Sequence, residues 1–493
     1  MTMLFSSLIF LFHVVNTCAL PTSPSLQNAL KGLSFNVTIP QDHGYSFVST
    51  AYNLRYNLKP AAVAYPSSAR DVADVVAVAA QHGYKVVARS GGHSYTAGGL
   101  GTMDGLVVVD LKGLNQVSIN TATNVANVGP GLFLGKLAEE MSAHGRALPH
   151  GTCPTVAVGG HAASGGYGFF SRKHGLLLDR IRSIEVVLAN ATIARVSRDV
   201  NPDLFWALRG SASSFGIITS VAAEMVPMPP STTVFQYHWS LSAADLSKAL
   251  DTYQKWVSRS DLPPELGSEL LLSPGSRSGL VSMSIIGSFY DVNAKFNAAI
   301  SPFLASLPKP AWSTVKAGTY IDSVHHYGKD SWASHDTFYA KSLITPANSL
   351  MSAKARDAFA AYLSKNAFGA ETNWFLQIGA FGGPASRVNQ VPLDETSFAH
   401  RNSLLLIQFY TSASHGAPQF PPSGFTLLDG MVNSIVENSP LGWNYGTYVN
   451  YPDDRLNDWQ RLYYGDHYSR LQRLKLQYDP NNLFSYKMSV VGA

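Results

Sequence analysis

Two glycine-rich runs hold the residues best placed to do chemistry: "RSGGHSYTAGG" at 89–99 and "HGTCPTVAVGGHAASGGYG" at 150–168. Glycine lets a backbone N–H turn toward a ligand and approach it closely, which suits a pyrophosphate. Tight turns that hold no ligand are the alternative reading of either run alone. Neither G-x-G-x-x-G nor G-x-x-x-x-G-K-[ST] occurs, so the Rossmann and P-loop readings lose their main support. His150, Cys153 and His161 share the second run. Zinc would need a further ligand at suitable spacing, and the glycines favour backbone approach instead, so no metal site is assigned. Buried structural Cys and His side chains are the remaining reading.

Cys153 is expected to be the single cysteine of the mature chain. Residues 4–15, "LFSSLIFLFHVV", form a short apolar core, and Thr17 and Ala19 follow at the spacing a signal peptidase prefers. Residues 1–19 are therefore read as a signal peptide whose removal takes Cys18 with it. No apolar stretch is long enough to span a bilayer, so the expectation is a secreted, extracellular protein with no membrane partner. Sequons at Asn36 and Asn190 fit glycosylation on that route. A chain of 493 residues buries enough core to do without disulfides. Its 36 basic and 32 acidic residues are interspersed, so the formal charge of +4 carries no nucleic-acid surface.

The elements that must position these residues divide at a proline-rich stretch, "PMPPS", near residue 228. Before it, "SARDVADVVAVAAQ" has helical apolar spacing behind a capping serine, and "KVVARS" reads as the strand feeding the first glycine run. "QVSINTATNVANVG" alternates like a hairpin, "LFLGKLAEEMSAHG" reads as a helix closed by Gly145, and "RSIEVVLANATIARVS" as two strands about a tight turn. Beyond it, "TVFQYHWSL", "SELLLS", "GLVSMSIIGSFY", "TNWFLQIGAF" and "SLLLIQFYTSA" read as strands. With the helix "AADLSKALDTYQKWV" and another near 293–306, they suggest an antiparallel sheet with helices on one face. After about residue 425 the chain turns helical again. The fold class is α+β, with segments 20–228, 229–425 and 426–493.

"RSGGHSY", "GTCPTVAVGGHAASGGYGFFSRKHGLLLDRI", "DLFWALRGSASSFGIIT", "YVNYPD" and "YYGDHYSRLQRLKLQYDPNNLF" closely resemble, in order, the FAD-linked oxidases of the vanillyl-alcohol oxidase type. Within these the chain is similar to the berberine-bridge-enzyme group, and in it to fungal oligosaccharide oxidases. The resemblance implies an FAD-binding domain built from 20–228 and 426–493, with 229–425 inserted as a substrate domain. It implies FAD held by two covalent bonds, His93 to the 8α-methyl and Cys153 to C6. Two anchors leave the ring system in an open cleft and raise its reduction potential. It also implies that the first loop, from Ser90 through Gly91 and Gly92 to Ser94, cradles the pyrophosphate. The second, with Gly159, Gly160, His161 and Gly165, runs along the flavin; Gly216, Ile218 and Asn482 lie on the adenine side. Val156 matches the position where a small residue admits dioxygen, favouring an oxidase over a dehydrogenase.

Oxidising an alcohol by hydride transfer also requires a base for its hydroxyl proton, and a tyrosine whose pKa is lowered can serve. Tyr451 of "YVNYPD" matches the family's base, with Tyr448 a further pocket candidate. Tyr95 and Gln377 are expected to touch substrate. Gln408 stands where alkaloid-cyclising relatives carry a glutamate base, which disfavours that chemistry here. Sugar-oxidising relatives can carry an acidic residue two positions beyond Gln377, and this chain has Gly379 there. Glu269 reads either as an acceptor of substrate hydroxyls or as a solvated surface residue. Trp312, Trp332, Trp374 and Trp443 read as sugar platforms or as core. The expectation is a monomeric, secreted oxidase that converts the reducing-end C1 hydroxyl of an oligosaccharide to a lactone and dioxygen to hydrogen peroxide. The alternative is a related oxidase of a secondary-metabolite alcohol.

Overall fold

The computed structural model describes residues 24–329, 335–413 and 419–493; the segment 1–19, read above as a signal peptide, and Trp332 lie outside them. Near the N-terminus, Ala62–Ala64, Val107–Asp110 and Val86–Arg89 form a parallel set, edged by the antiparallel Val37–Thr38. The helix Ala69–Gln81 starts where Ser68 accepts the Asp71 N–H. It buries Val72, Val75, Val76 and Ala79 against this sheet. A second, antiparallel sheet has the order Val117–Asn120, Val125–Val128, Ile217–Glu224, Ile181–Val187, Ile193–Ser197. Asn190 opens the turn joining its last two members, exposed, with its side-chain oxygen accepting the Thr192 N–H; Asn36 is exposed too.

The third sheet has seven strands, all antiparallel to their neighbours. Their order is Trp312–Gly318, Thr232–Ser242, Leu280–Phe289, Leu266–Pro274, Asn373–Ala380, Ser403–Ser412, Phe338–Pro346. Successive side chains on a strand point to opposite faces. Leu270, Leu272, Leu376, Ile378, Ile407 and Phe409 pack against the helices Ala243–Val257, Phe296–Leu304, Ala353–Ala361 and Pro422–Val436. The alternate residues Glu269, Phe375, Gln377, Gln408 and Tyr410 border a cavity instead.

One expected boundary moves. A break at 425 would cut the helix Pro422–Val436, which buries Leu428, Met431 and Ile435 in the core of the seven-stranded sheet. Trp443 still belongs to that core, whereas Tyr448, Tyr463, Tyr464 and Leu471 pack with the residues of the second sheet. The return therefore falls between 443 and 448. The closing helix Tyr468–Tyr478 is pinned by Lys475, whose buried ammonium donates to Ser214 O at 2.6 Å, Asp479 Oδ2 at 2.7 Å and Phe484 O at 3.0 Å.

Candidate active site

The strand Val86–Arg89 runs directly into the first glycine loop. Arg89 is held by Asp110 on the adjacent strand, at 2.7 Å, and by the Val48 carbonyl at 2.5 Å, so the loop leaves a fixed edge. Gly92 turns at φ +74°, in the region that favours glycine, and Ser94 Oγ accepts the Gly98 N–H. Ser90, Gly91, Gly92, His93, Ser94 and Tyr95 all border a cavity of about 930 Å³. From the second run, Cys153, Val156, Gly159, Gly160 and His161 reach the same cavity, and Gly216 and Ile218 join them.

Two glycines show different needs. A Cβ on Gly91 would stand 2.7 Å from the Ala157 nitrogen, so the two loops are packed backbone to backbone. A Cβ on Gly160 would meet nothing within 4 Å, so that position is an open cradle. His93 and Cys153 meet at Thr155: its backbone hydrogen-bonds the imidazole, and its hydroxyl lies 3.5 Å from Cys153 Sγ. Burial holds the His93 pKa down to about 4, against the pull of the Thr155 backbone. At neutral pH the ring is therefore uncharged and keeps a free nitrogen lone pair, as a nucleophile must. His161 is likewise held neutral by burial, down to about 3, and its Nε2 accepts the Gly151 N–H at 3.0 Å. Among the described residues no group of three or more His, Cys, Asp and Glu side chains could hold a metal ion.

The opposite wall is the free face of the seven-stranded sheet. Gln377 and Gln408 are directly paired across two strands. Gln408 Nε2 donates to the Tyr95 hydroxyl at 2.6 Å, and Gln377 Nε2 to Glu269 Oε1 at 3.0 Å. Glu269 is thus a cavity residue rather than a solvated one, and burial lifts its pKa to about 7 against the Gln377 hydrogen bond. Tyr451 lies parallel to Tyr95, ring centroids 5.6 Å apart at 3°. The segment around Tyr451 is a turn, closed by its N–H to the Tyr448 carbonyl at 2.8 Å, so both tyrosines border the cavity.

Several expectations are corrected. Tyr451 is not a tyrosine of lowered pKa: burial pushes it well above the usual value, and Tyr95, Tyr448, Glu269 and Tyr167 push the same way. Tyr448 borders the cavity as expected, but it is buried and its hydroxyl accepts the Gly166 N–H at 3.0 Å and the Tyr167 N–H at 3.2 Å, so that oxygen is committed to the loop. Gly165 does not border the cavity; at φ +152° it lets that hydroxyl close on the backbone, where a Cβ would collide with it. Asn482 also stands outside the cavity wall, on a turn where its N–H donates to Asp479 O. Trp374 and Trp443 are core residues, and the exposed Trp312 stacks on His238; none borders the cavity. The aromatic wall is Phe375 and Tyr410, centroids 4.8 Å apart at 26°. Their signal was legible: each sits two residues from a cavity glutamine on an alternating strand. Tyr167, inside the second glycine run, was another omission.

Residues 60–197 match the family described as FAD binding domain, and residues 447–491 the family described as berberine and berberine like. The chain is 33% identical over 483 residues to the xylooligosaccharide oxidase of Thermothelomyces thermophilus, covering 95% of each chain. It is 32% identical to the chitooligosaccharide oxidase of Gibberella zeae, over 97% of this chain and 96% of that one. The chain belongs to the berberine-bridge-like FAD-linked oxidases. A solved structure of the glucooligosaccharide oxidase of Acremonium strictum superposes with a TM-score of 0.88 at 31% identity, over 95% of this chain and 99% of that one. That protein carries a 6-S-cysteinyl, 8α-N1-histidyl FAD. The present chain is an FAD-dependent oxidoreductase, and its cradle suits the cofactor: two interlocked glycine loops, an open wall at Gly160, and a neutral histidine beside a free thiol.

Proposed function

We propose that this oxidase acts outside the cell on the reducing end of an oligosaccharide, converting the C1 hydroxyl to a lactone with formation of hydrogen peroxide. The observation that carries the reading is the joining of the two halves of the cavity. Glycine loops with His93 and Cys153 face a sheet that offers Gln377, Gln408 and Glu269, with Tyr451 and Tyr95 stacked between. Amide and carboxyl groups on a rigid sheet can hydrogen-bond a ring of hydroxyls, and the Phe375–Tyr410 pair offers an apolar face to the sugar. Gln408 carries no acceptor of comparable basicity to a glutamate, which disfavours the alkaloid-type reaction.

His93 and Cys153 would hold FAD, and the backbone from Ser90 to Ser94 would receive its pyrophosphate. Once bound, FAD would supply the two-electron chemistry, taking a hydride from C1 and passing both electrons to dioxygen. Tyr451 takes the C1 hydroxyl proton at its phenolic oxygen, while Tyr95, fixed by Gln408, holds the Tyr451 ring parallel and in place. Val156, the small residue read as admitting dioxygen, also borders the cavity.

The test is anaerobic mixing with cello-, xylo-, chito- and malto-oligosaccharides, followed by flavin absorbance, with peroxide measured in air. At least one series bleaches the flavin, and failure of all four removes the sugar reading. Tyr451→Phe keeps the ring and the bound flavin but reduces at least about 100-fold more slowly, the lower bound for loss of a general base. A variant within a few-fold of the parent assigns the base elsewhere.

A further inference from the structure

A phenol held well above its usual pKa cannot wait as a phenolate at neutral pH. A protonated Tyr451 accepts the substrate's proton as it gives up its own, which calls for a second acceptor behind it. Glu269 lies directly opposite Gly379 on the neighbouring strand. Side chains at directly opposed positions share a face, with Cβ atoms about 4.5–5.5 Å apart. Position 379 has no side chain, and a Cβ built there would stand 2.5 Å from the Tyr167 hydroxyl. The Tyr167 hydroxyl therefore fills the place beside Glu269 that a residue at 379 would otherwise take. Tyr167, Glu269 and Tyr451 border the same cavity, and the Glu269 charge bears on both phenols.

We infer that Glu269 is the acceptor to which Tyr451 passes the substrate's proton, across the hydroxyl of Tyr167. The inference rests on the oxidation proposed above. The O–H bond of the C1 hydroxyl breaks and its proton joins Tyr451 Oη. The phenolic proton of Tyr451 moves to Tyr167 Oη, and that of Tyr167 to the Glu269 carboxylate. Both tyrosines end as they began, Glu269 ends protonated, and the electron pair of the C–H bond leaves with the hydride already counted. Gln377 Nε2, at 3.0 Å, holds one carboxylate oxygen. The Glu269 charge also bears on Tyr253 and Tyr327, and the buried Arg172 acts electrostatically on Tyr167 and Tyr253. Burial tunes the acceptor, since a carboxyl near 7 is matched to proton transfer at neutral pH.

Glu269→Gln keeps the shape and removes the acceptor. Anaerobic flavin reduction should slow at least about 100-fold with the sugar's dissociation constant within about threefold. The parent's rate should fall in acid through a midpoint near 7, and that limb should vanish in the variant. Tyr167→Phe should slow reduction while keeping the midpoint, and it supplies the test if Glu269→Gln does not fold. Weakened sugar binding with an unchanged limiting rate and the same acid limb overturns the inference and makes Glu269 a binding residue. Independently of any substrate, pH-difference infrared spectra of the resting protein should show one carboxyl C=O band titrating near 7 that Glu269→Gln removes. Absence of that band overturns the assignment even if sugars are oxidised; its presence with no sugar oxidised places the failure in the proposed function instead.

Discussion

Tyr448→Phe separates a structural hydroxyl from a substrate contact. In the parent this oxygen accepts the Gly166 N–H at 3.0 Å and the Tyr167 N–H at 3.2 Å, with the Asn450 amide at 3.2 Å. Removing it strands two backbone donors at a packed loop, one of them fully buried, and an unsatisfied buried donor costs about 1–3 kcal/mol. The Tyr167 N–H is only partly buried, so its share lies at the low end, and the sum is about 2–4 kcal/mol. At about 2.1 cal/mol/K per residue, a chain of this size unfolding as one unit loses about one degree per kcal/mol. The melting temperature of the flavin-loaded variant should thus fall by about 2–4 °C. The sugar's dissociation constant, from the concentration dependence of the anaerobic flavin-bleaching rate, should stay within about twofold. A melting temperature within about half a degree of the parent, with weakened sugar binding, would refute the pinning role.

Two further outcomes follow from the cradle. Flavin should remain with the protein through acid precipitation, and Cys153→Ala or His93→Ala should each leave it attached by the other bond; release from the parent by simple denaturation refutes double attachment. Gly160→Leu should leave the melting temperature of the flavin-free protein nearly unchanged, since a Cβ there meets nothing within 4 Å, yet should lower flavin loading; full loading would show that the cofactor does not pass this wall.

The strands that sequence alternation revealed are interior to the seven-stranded sheet. "FLQIG" and "LIQFY" place one face on helices and the other on the cavity, so their period of two is strong. The two that escaped it, Trp312–Gly318 and Phe338–Pro346, are the sheet's edges. The first is exposed along almost its whole length, which leaves no buried face to write a pattern. The cofactor loops were legible because their glycines, histidine and cysteine are adjacent in the chain. The second wall was less so: that Glu269 faces Gly379, and that Tyr167 fills the gap, depend on register between strands more than a hundred residues apart. The loop-pinning bonds of Tyr448 were hidden for a related reason, because its partners lie 282 residues earlier.

The late return of the chain into its first domain orders events during synthesis. The loops that carry His93 and Cys153 leave the ribosome early, yet the Tyr448 hydroxyl that fixes Gly166 arrives 282 residues later, and Lys475 reaches Ser214 across 261. Between them the whole seven-stranded sheet must be made, and long-range pairings of this kind form late in folding. A nascent or truncated chain therefore has the nucleophiles for its cofactor but no closed cradle to hold it and no Tyr451 to work on a substrate. The site as described, with Gly166 pinned and Tyr451 against Tyr95, thus exists only in a chain whose last segment has docked.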